Sequence, residues 1–326
     1  MNSSSKVGVG RTVLVGPVRY PELCERGRTL LLDEGFTLIE NETPLPWERE
    51  DLLPLLAGAD AAVCGVEEYP ADMLELAPNL RIISRLGVGL DNIDLVAARS
   101  GGVDVVNVPG GNASAVAELA IGLMIAVLRK IPEMDRKIRD GQWDRYVGYE
   151  LAGKTVALIG FGAIARLVAK RLRGFDVTLL SSDPYADPAV AADLGVRLAP
   201  LEEIVALADV VSVHAPHLPS THHLVNAELL ALMKPGAIVI NTSRGGLVDE
   251  TALAAALDSG HIAGAGLDVF ELEPVTTANP LLQFESVVAT MHAAADSAEA
   301  YDRIGYATAR AIVDVFSGRT PENLAN

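Results

Sequence analysis

The stretch from Thr155 to Asp183, TVALIGFGAIARLVAKRLRGFDVTLLSSD, constrains the fold more than any other part of the chain. Thr155 to Ile159 is an apolar run with the length and β-branched content of a buried parallel strand. Gly160, Gly162 and Ala165 follow it. The first glycine permits a tight turn, the second lets backbone N–H groups approach a pyrophosphate, and Ala165 is small enough for the helix to pack on the strand. The N-terminus of that helix then faces the anion, beside Ala163 and Ile164. A second strand, Val177 to Ser182, delivers Asp183, 23 residues after Gly160. A carboxylate there accepts hydrogen bonds from both ribose hydroxyls and repels a 2′-phosphate, so NAD is expected over NADP. A lone GxGxxA is a weak signal, but here it comes with both strands, the helix and the terminal acid.

On either side the chain repeats short apolar runs and amphipathic stretches. TVLVG, TLIEN, AAVCGV, RIISRL and VDVVNV read as strands, with helices between them. This predicts an α/β chain with a parallel, flavodoxin-like open sheet in its first part. From about Ala115 a single long helix is expected, with an apolar face wide enough to be buried on several sides and to supply a dimer surface. After Asp183 the rhythm resumes and predicts a second sheet of about six parallel strands. The last helix, 298–316, is not needed to complete that sheet and is expected to return to the first domain. The reading is two doubly wound domains: residues 108–298 form a Rossmann NAD-binding domain inserted into a flavodoxin-like substrate domain of residues 1–107 and 299–326.

The formal charge of −17 argues against nucleic acid or an anionic membrane surface as partner, because either favours a basic face. Cys24 and Cys64 make neither a disulfide framework nor a metal spacing, which fits a reducing cytoplasm. No apolar run is long enough to cross a bilayer, and the N-terminus lacks a signal core. Four histidines, His214, His217, His222 and His223, fall within ten residues. Proline punctuation and the lack of Asp, Glu or Cys among them speak against a metal site, and none is expected. His214 is expected instead to end a strand beside the cofactor.

Three polar residues follow strands of the second sheet, where open sheets bind ligands: Arg244, Glu273 and His292. Arg244 lies among small residues that let a guanidinium fork reach a carboxylate. Glu273, 19 residues before His292, could bond one ring nitrogen and fix the tautomer for acid–base work. Singly, each reads equally well as an ion pair, a solvated loop acid and a satisfied core histidine. Together with a nicotinamide site they point to hydride transfer to a 2-oxo acid. The segment Leu86 to Asp94 places two glycines after a strand, and its Val88 and Gly89 N–H groups read equally as a carboxylate holder and as a plain turn.

With RLGVGLDNID, NVPGGNASAVAELAIGLM, GKTVALIGFGAIA, DVVSVHAP, LMKPGAIVINTSRGGLVDE and AGAGLDVFELEP in view, nearly the whole chain resembles the D-isomer-specific 2-hydroxyacid dehydrogenases, most closely phosphoglycerate dehydrogenase-like members. The resemblance implies that Val88, Gly89 and nearby Asn112 serve the substrate carboxylate, that Arg244 binds and polarises the substrate, and that Glu273 and His292 are the acid–base pair. It also implies a cofactor set of Gly160, Gly162, Ala163, Ile164, Asp183, His214, Ala215, Pro216, Thr221, Thr242, Ser243, Arg244, Asp268, His292 and Ala294, and a homodimer. Where the family usually has TPH this chain has Thr290, Met291 and His292, and Ala294 stands where a glycine is common. Authentic phosphoglycerate dehydrogenases commonly carry an Arg after the third strand, where this chain has Gly65, Val66, Glu67 and Glu68, which weighs against 3-phosphoglycerate. With the chain stopping at Asn326, serine control through an appended domain is not expected. Two other readings stay open: a phosphite-type dehydrogenase of the same family, and an NAD-sensing scaffold like the corepressors that share its fold. Glu at position 273 speaks against formate, since formate dehydrogenases have Gln there. Trp143, Arg145 and Tyr146 could shape the substrate pocket, although dimer contacts are the favoured reading.

Overall fold

Short β-branched runs flanked by helices give parallel ladders throughout, and every pairing between the named strands is parallel. The computed structural model describes residues 6–326. It divides the chain into two units, one of residues 1–112 with 296–326 and one of residues 113–295.

In the first unit, β1 (Thr12–Val15), β2 (Thr37–Glu40), β3 (Ala61–Cys64), β4 (Ile82–Arg85) and β5 (Asp104–Val106) form a sheet in the order β2-β1-β3-β4-β5. Successive side chains point to opposite faces, so Leu14, Ala62 and Ile83 enter one apolar layer and Val13, Ala61 and Ile82 the other. The helix Ala298–Phe316 contributes Ala309 and Ile312 to the second layer and lies against the helix Glu25–Asp33. The two helices meet at glycines: a Cβ at Gly27 would collide with the Gly305 carbonyl, and one at Gly305 with Cys24. The segment before β2 holds two helices, Tyr20–Leu23 and Glu25–Asp33, with Cys24 non-helical between them.

The second unit holds seven strands: β6 (Thr155–Ile159), β7 (Thr178–Ser182), β8 (Val196–Leu198), β9 (Val210–Val213), β10 (Ala237–Asn241), β11 (Ile262–Leu267) and β12 (Val287–Ala289). Their order is β12-β11-β10-β9-β6-β7-β8. The strand beyond the expected six is β8, an edge strand of three residues, too short to show a period. Strand order reverses at β6 next to β9, and ligands of such sheets bind outside the carboxyl ends at that point. The long helix expected from Ala115 is two, Ala113–Arg129 and Ile131–Arg139, with Lys130 in the left-handed region at φ 51°. Pro132 is the reason: it has no N–H to donate to the Leu128 carbonyl and its ring would crowd it, and that carbonyl accepts the Tyr149 N–H at 2.9 Å instead. The first of these helices buries Ala117, Ala120, Leu123 and Met124 against the sheet. It comes close because Gly266 of β11 has no side chain, and a Cβ there would stand 2.9 Å from that of Leu123. Among the described residues no helix is long and apolar enough to cross a membrane.

Candidate active site

The turn after β6 is built as its glycines require. Gly160 adopts φ 93° with its backbone against that of His214, where a Cβ would lie 2.7 Å from the carbonyl oxygen. Only glycine fits both demands. Gly162 caps the helix Ala163–Leu172 without a side-chain bond, and a Cβ added to it would meet no atom within 4 Å. The first N–H groups of that ten-residue helix are thus open to approach, and Ala165 is buried beneath them. Asp183 follows β7. Its carboxylate accepts the Phe161 N–H at 2.7 Å and the Tyr185 N–H at 2.7 Å, which orients it beside the turn. Across the switch point, His214 follows β9 with a buried Nδ1 that makes no hydrogen bond, while Nε2 pairs with Ser212 Oγ at 2.9 Å. Burial pushes the His214 pKa down to about 4, so the ring is neutral. Thr242 Oγ1, at the end of β10, is also buried without a hydrogen bond. A side-chain-free helix N-terminus, an oriented acid and buried unpaired polar atoms along one sheet edge fit a dinucleotide.

The ends of β10, β11 and β12 carry the three polar residues. Asn241, fully buried, closes the turn after β10: its Oδ1 accepts the Ser243 N–H at 3.0 Å and its Nδ2 donates to the Arg244 carbonyl at 2.9 Å. Ser243 Oγ donates to the Val213 carbonyl, and Arg244 Nη1 to the Ser243 carbonyl, each at 2.9 Å. Gly245 then lies so close to the Phe270 backbone that any side chain would overlap it, tying the Arg244 turn to the segment after β11. In that segment Glu273 Oε1 accepts the Phe270 N–H at 2.9 Å, and Oε2 lies 2.6 Å from His292 Nδ1. The carboxylate therefore fixes a proton on Nδ1 and leaves Nε2 to exchange one with a substrate.

His292 sits at φ 54°, a costly conformation for a residue with a Cβ. Asp268, fully buried, holds it there. The Asp268 carbonyl accepts the His292 N–H at 2.7 Å, and its carboxylate accepts the Thr290 hydroxyl at 2.6 Å and the Ala293 and Ala294 N–H groups at 2.9 Å each. One side chain thus organises the loop 290–294.

In the first unit, the loop after β4 has its carbonyls tied one by one. The Gly87 carbonyl accepts the Val108 N–H at 2.9 Å, the Val88 carbonyl accepts Asn107 Nδ2 at 2.7 Å, and the Gly89 carbonyl accepts Arg85 Nε at 3.0 Å. In a trans peptide the N–H points opposite to the carbonyl, so the Val88 and Gly89 N–H groups are turned away from the partners of those carbonyls. Gly87 makes the turn at φ 155°.

Residues 121–294, just over half of the chain, match the family model described as D-isomer specific 2-hydroxyacid dehydrogenase, NAD binding domain. The chain belongs to the D-isomer-specific 2-hydroxyacid dehydrogenases. It is 44% identical over 282 residues to the D-3-phosphoglycerate dehydrogenase of Mycobacterium tuberculosis, covering 86% of this chain and 53% of that protein. It therefore spans about half the length of the curated relatives it matches. Among solved structures, a Thermus thermophilus protein is 34% identical with a TM-score of 0.89, over 97% of this chain and all of that one. The D-lactate dehydrogenase of Escherichia coli is 31% identical with a TM-score of 0.86, over 96% and 99%. The second unit is the family's Rossmann NAD-binding domain.

In this 2-hydroxyacid dehydrogenase-family chain the remaining sequence-predicted residues are placed less tightly. Ala215, Pro216 and Thr221 lie on the loop after β9, where Thr221 Oγ1 donates to the Pro216 carbonyl at 2.7 Å. Asn112 precedes the helix Ala113–Arg129 and is half-buried. The histidines after His214 form a stack: His217 Nε2 lies 3.3 Å from His222 Nδ1, and the His222 and His223 rings stack at 3.9 Å. No group of three or more His, Cys, Asp or Glu disposed around a metal occurs among the described residues. Trp143 is 81% exposed, and Lys130 and Lys137 stand over the Tyr146 ring. Sequence reasoning passed over Asn107 and Asn241 and gave Asp268 only a cofactor contact. No spacing rule marks a lone Asn or Asp at a strand end, because its partners are backbone groups of the same turn.

Proposed function

We propose that this chain interconverts a 2-oxo acid and a D-2-hydroxy acid with NAD, using Arg244, Glu273 and His292. The dinucleotide supplies or accepts the hydride at C2. The helix N-terminus after Gly162 takes its pyrophosphate, Asp183 its ribose, and the strand ends at His214, Thr242 and Asp268 line the rest. Arg244 holds and polarises the substrate, and the Val88 and Gly89 N–H groups bind its carboxylate. In the reducing direction His292 Nε2 gives its proton to the carbonyl oxygen, and Glu273 stabilises the charged ring before transfer. The observation that carries this reading is the Glu273–His292 pair at 2.6 Å, on a turn that Asp268 holds in a strained conformation. The loop after β3, with Gly65 and no Arg, supports a substrate without a phosphate. Exposed Ile131, Ile138, Trp143, Val147 and Tyr149 within one stretch support a homodimer, and two buried free cysteines fit a cytoplasmic enzyme. The test is NADH oxidation against glyoxylate, hydroxypyruvate, phosphohydroxypyruvate, pyruvate and bulkier 2-oxo acids, with NADPH alongside. NADH-dependent turnover of one of them supports the reading. Tight NADH binding with no turnover of any would end it and leave the phosphite-type and sensing readings.

A further inference from the structure

The loop after β9 carries three histidines that the reaction above does not use: His217, His222 and His223. β9 stands at the switch point of the seven-stranded sheet, so this loop leaves the carboxyl edge at which such sheets bind a dinucleotide. It is fastened there. The His223 N–H donates to the Gly246 carbonyl at 2.8 Å, and the Val225 N–H to the Leu247 carbonyl at 2.9 Å. A Cβ on Gly246 would lie 2.7 Å from His217 Nε2, so the His217 ring is seated on the backbone of the turn that follows Arg244. The loop thus grips that turn by backbone and by ring.

The three rings join end to end around this grip. His217 Nε2 and His222 Nδ1 are 3.3 Å apart with the ring centroids at 5.6 Å, which leaves the two nitrogens close to the line between the rings. One nitrogen must donate and the other accept, so the contact exists only while one of them is without a proton. The His222 ring stacks on His223 at 3.9 Å. His223 faces acids on both sides: Nε2 is buried 3.1 Å from Glu271 Oε1, out of line for a hydrogen bond, and Nδ1 lies 3.9 Å from Asp249 Oδ2. Those acids are held in turn. Glu271 Oε1 accepts the Glu250 N–H at 3.0 Å, Glu250 Oε1 accepts the Glu271 N–H at 2.7 Å, and Asp249 Oδ1 accepts the Ala252 N–H at 2.9 Å. They balance a positive ring at His223, whereas none of the ion pairs among the described residues reaches His217 or His222. A proton on every nitrogen of that pair would set two cations 3.3 Å apart and turn the acceptor into a donor. Acid therefore undoes the contact, and histidine is the side chain that takes up a proton between about pH 8 and 5.

We propose that His217 and His222 are positioning residues for the dinucleotide edge: the proton they share clasps the loop after β9 onto the turn after Arg244, and acid opens the clasp and weakens NAD binding. This needs only the NAD-binding domain, whichever acid is reduced.

The test is calorimetric binding of NAD⁺ at about pH 7.5, 6.5 and 5.5 to wild type, His217→Ala, His217→Gln and His222→Gln. Both rings are at the surface, so the substitutions leave the cores untouched. In wild type the dissociation constant should rise about fivefold from the highest pH to the lowest, the worth of one hydrogen bond. His217→Ala lacks the clasp at every pH, so its constant should start about fivefold above wild type and stay within about twofold across the range. The two Gln variants should keep wild-type affinity at the highest pH and hold it to the lowest, because an amide donates to a neutral ring and accepts from a charged one. Titration elsewhere at the site is common to all four proteins and cancels in the comparison. A wild-type constant that is flat with pH would overturn the clasp. So would a full wild-type slope in His217→Ala or in both Gln variants, which would leave the rings a packing role only. Failure of the wild type to bind NAD⁺ at any of these pH values would remove the cofactor assignment along with it.

Discussion

The two sheets share one architecture and present different chemistry at their carboxyl edges. The edge of the seven-stranded sheet carries side chains, and each is held by another: Asn241 shapes the Arg244 turn, Glu273 the His292 ring, and Asp268 the backbone beneath that ring. At the edge of the five-stranded sheet the Gly87–Gly89 loop presents backbone: the Arg85 and Asn107 side chains hold its carbonyls, so that its N–H groups are what remains to offer. A parallel doubly wound sheet guarantees a place for a site and leaves open what the site is made of. Proton transfer needs a titratable group at a fixed atom, whereas holding a carboxylate needs only oriented donors.

The contrast breaks most openly at His292. His292→Ala should lower kcat by about 10³-fold while NADH binding, read by fluorescence, is retained. Turnover near the wild-type level would show that the seven-stranded edge does not carry the chemistry. Asp268→Asn should come next, because it sets an amide among three donors to a buried carboxylate. A loss of roughly 2–3 kcal/mol of stability in urea unfolding is expected, with a fall in kcat as the His292 turn relaxes. A smaller change in both would mean that the loop 290–294 holds its shape without Asp268.

Acid should find the seven-stranded edge as well. His214 has a folded pKa of about 4, below its unfolded value of about 6.5, so the unfolded chain binds the extra proton between those values. The stability it contributes is whole above about pH 6.5 and falls by roughly 2–3 kcal/mol as pH drops toward 4. Urea midpoints across that window should slope in wild type and lose that part of the slope in His214→Gln. The smallest effect belongs to the five-stranded edge. Asn107→Ala frees the Val88 carbonyl and should raise KM for the 2-oxo acid about tenfold with kcat little changed, the signature of lost ground-state binding. A fall in kcat with KM unchanged would mean that this loop shapes the transition state, and the division between the two edges would fail.

Much of this was legible in the chain itself. Gly160, Gly162, Ala165 and Asp183 stand within one βαβ unit, where local geometry dictates residue type, so spacing alone announced the nucleotide turn. The parallel sheets were legible because the central strands, such as β3, β9 and β10, are apolar runs buried on both faces. The exceptions have local causes: β8 is too short to show a period, and Pro132 divides an apolar helix whose pattern runs through it.

What the sequence determined, then, is the alternation that makes two doubly wound sheets, the turn that accepts a dinucleotide, and the presence of Arg244, Glu273 and His292 after strands. Only the tertiary structure decided that Glu273 meets His292 across 19 residues, that Asp268 underpins the loop, and that Glu67 is buried rather than solvated beside its equally acidic neighbour. The physical reason is range. Strand, helix and turn preferences act over a few residues and leave a period in the chain. A hydrogen bond between the ends of two parallel strands depends on a register set by a whole crossover, and leaves no period to read.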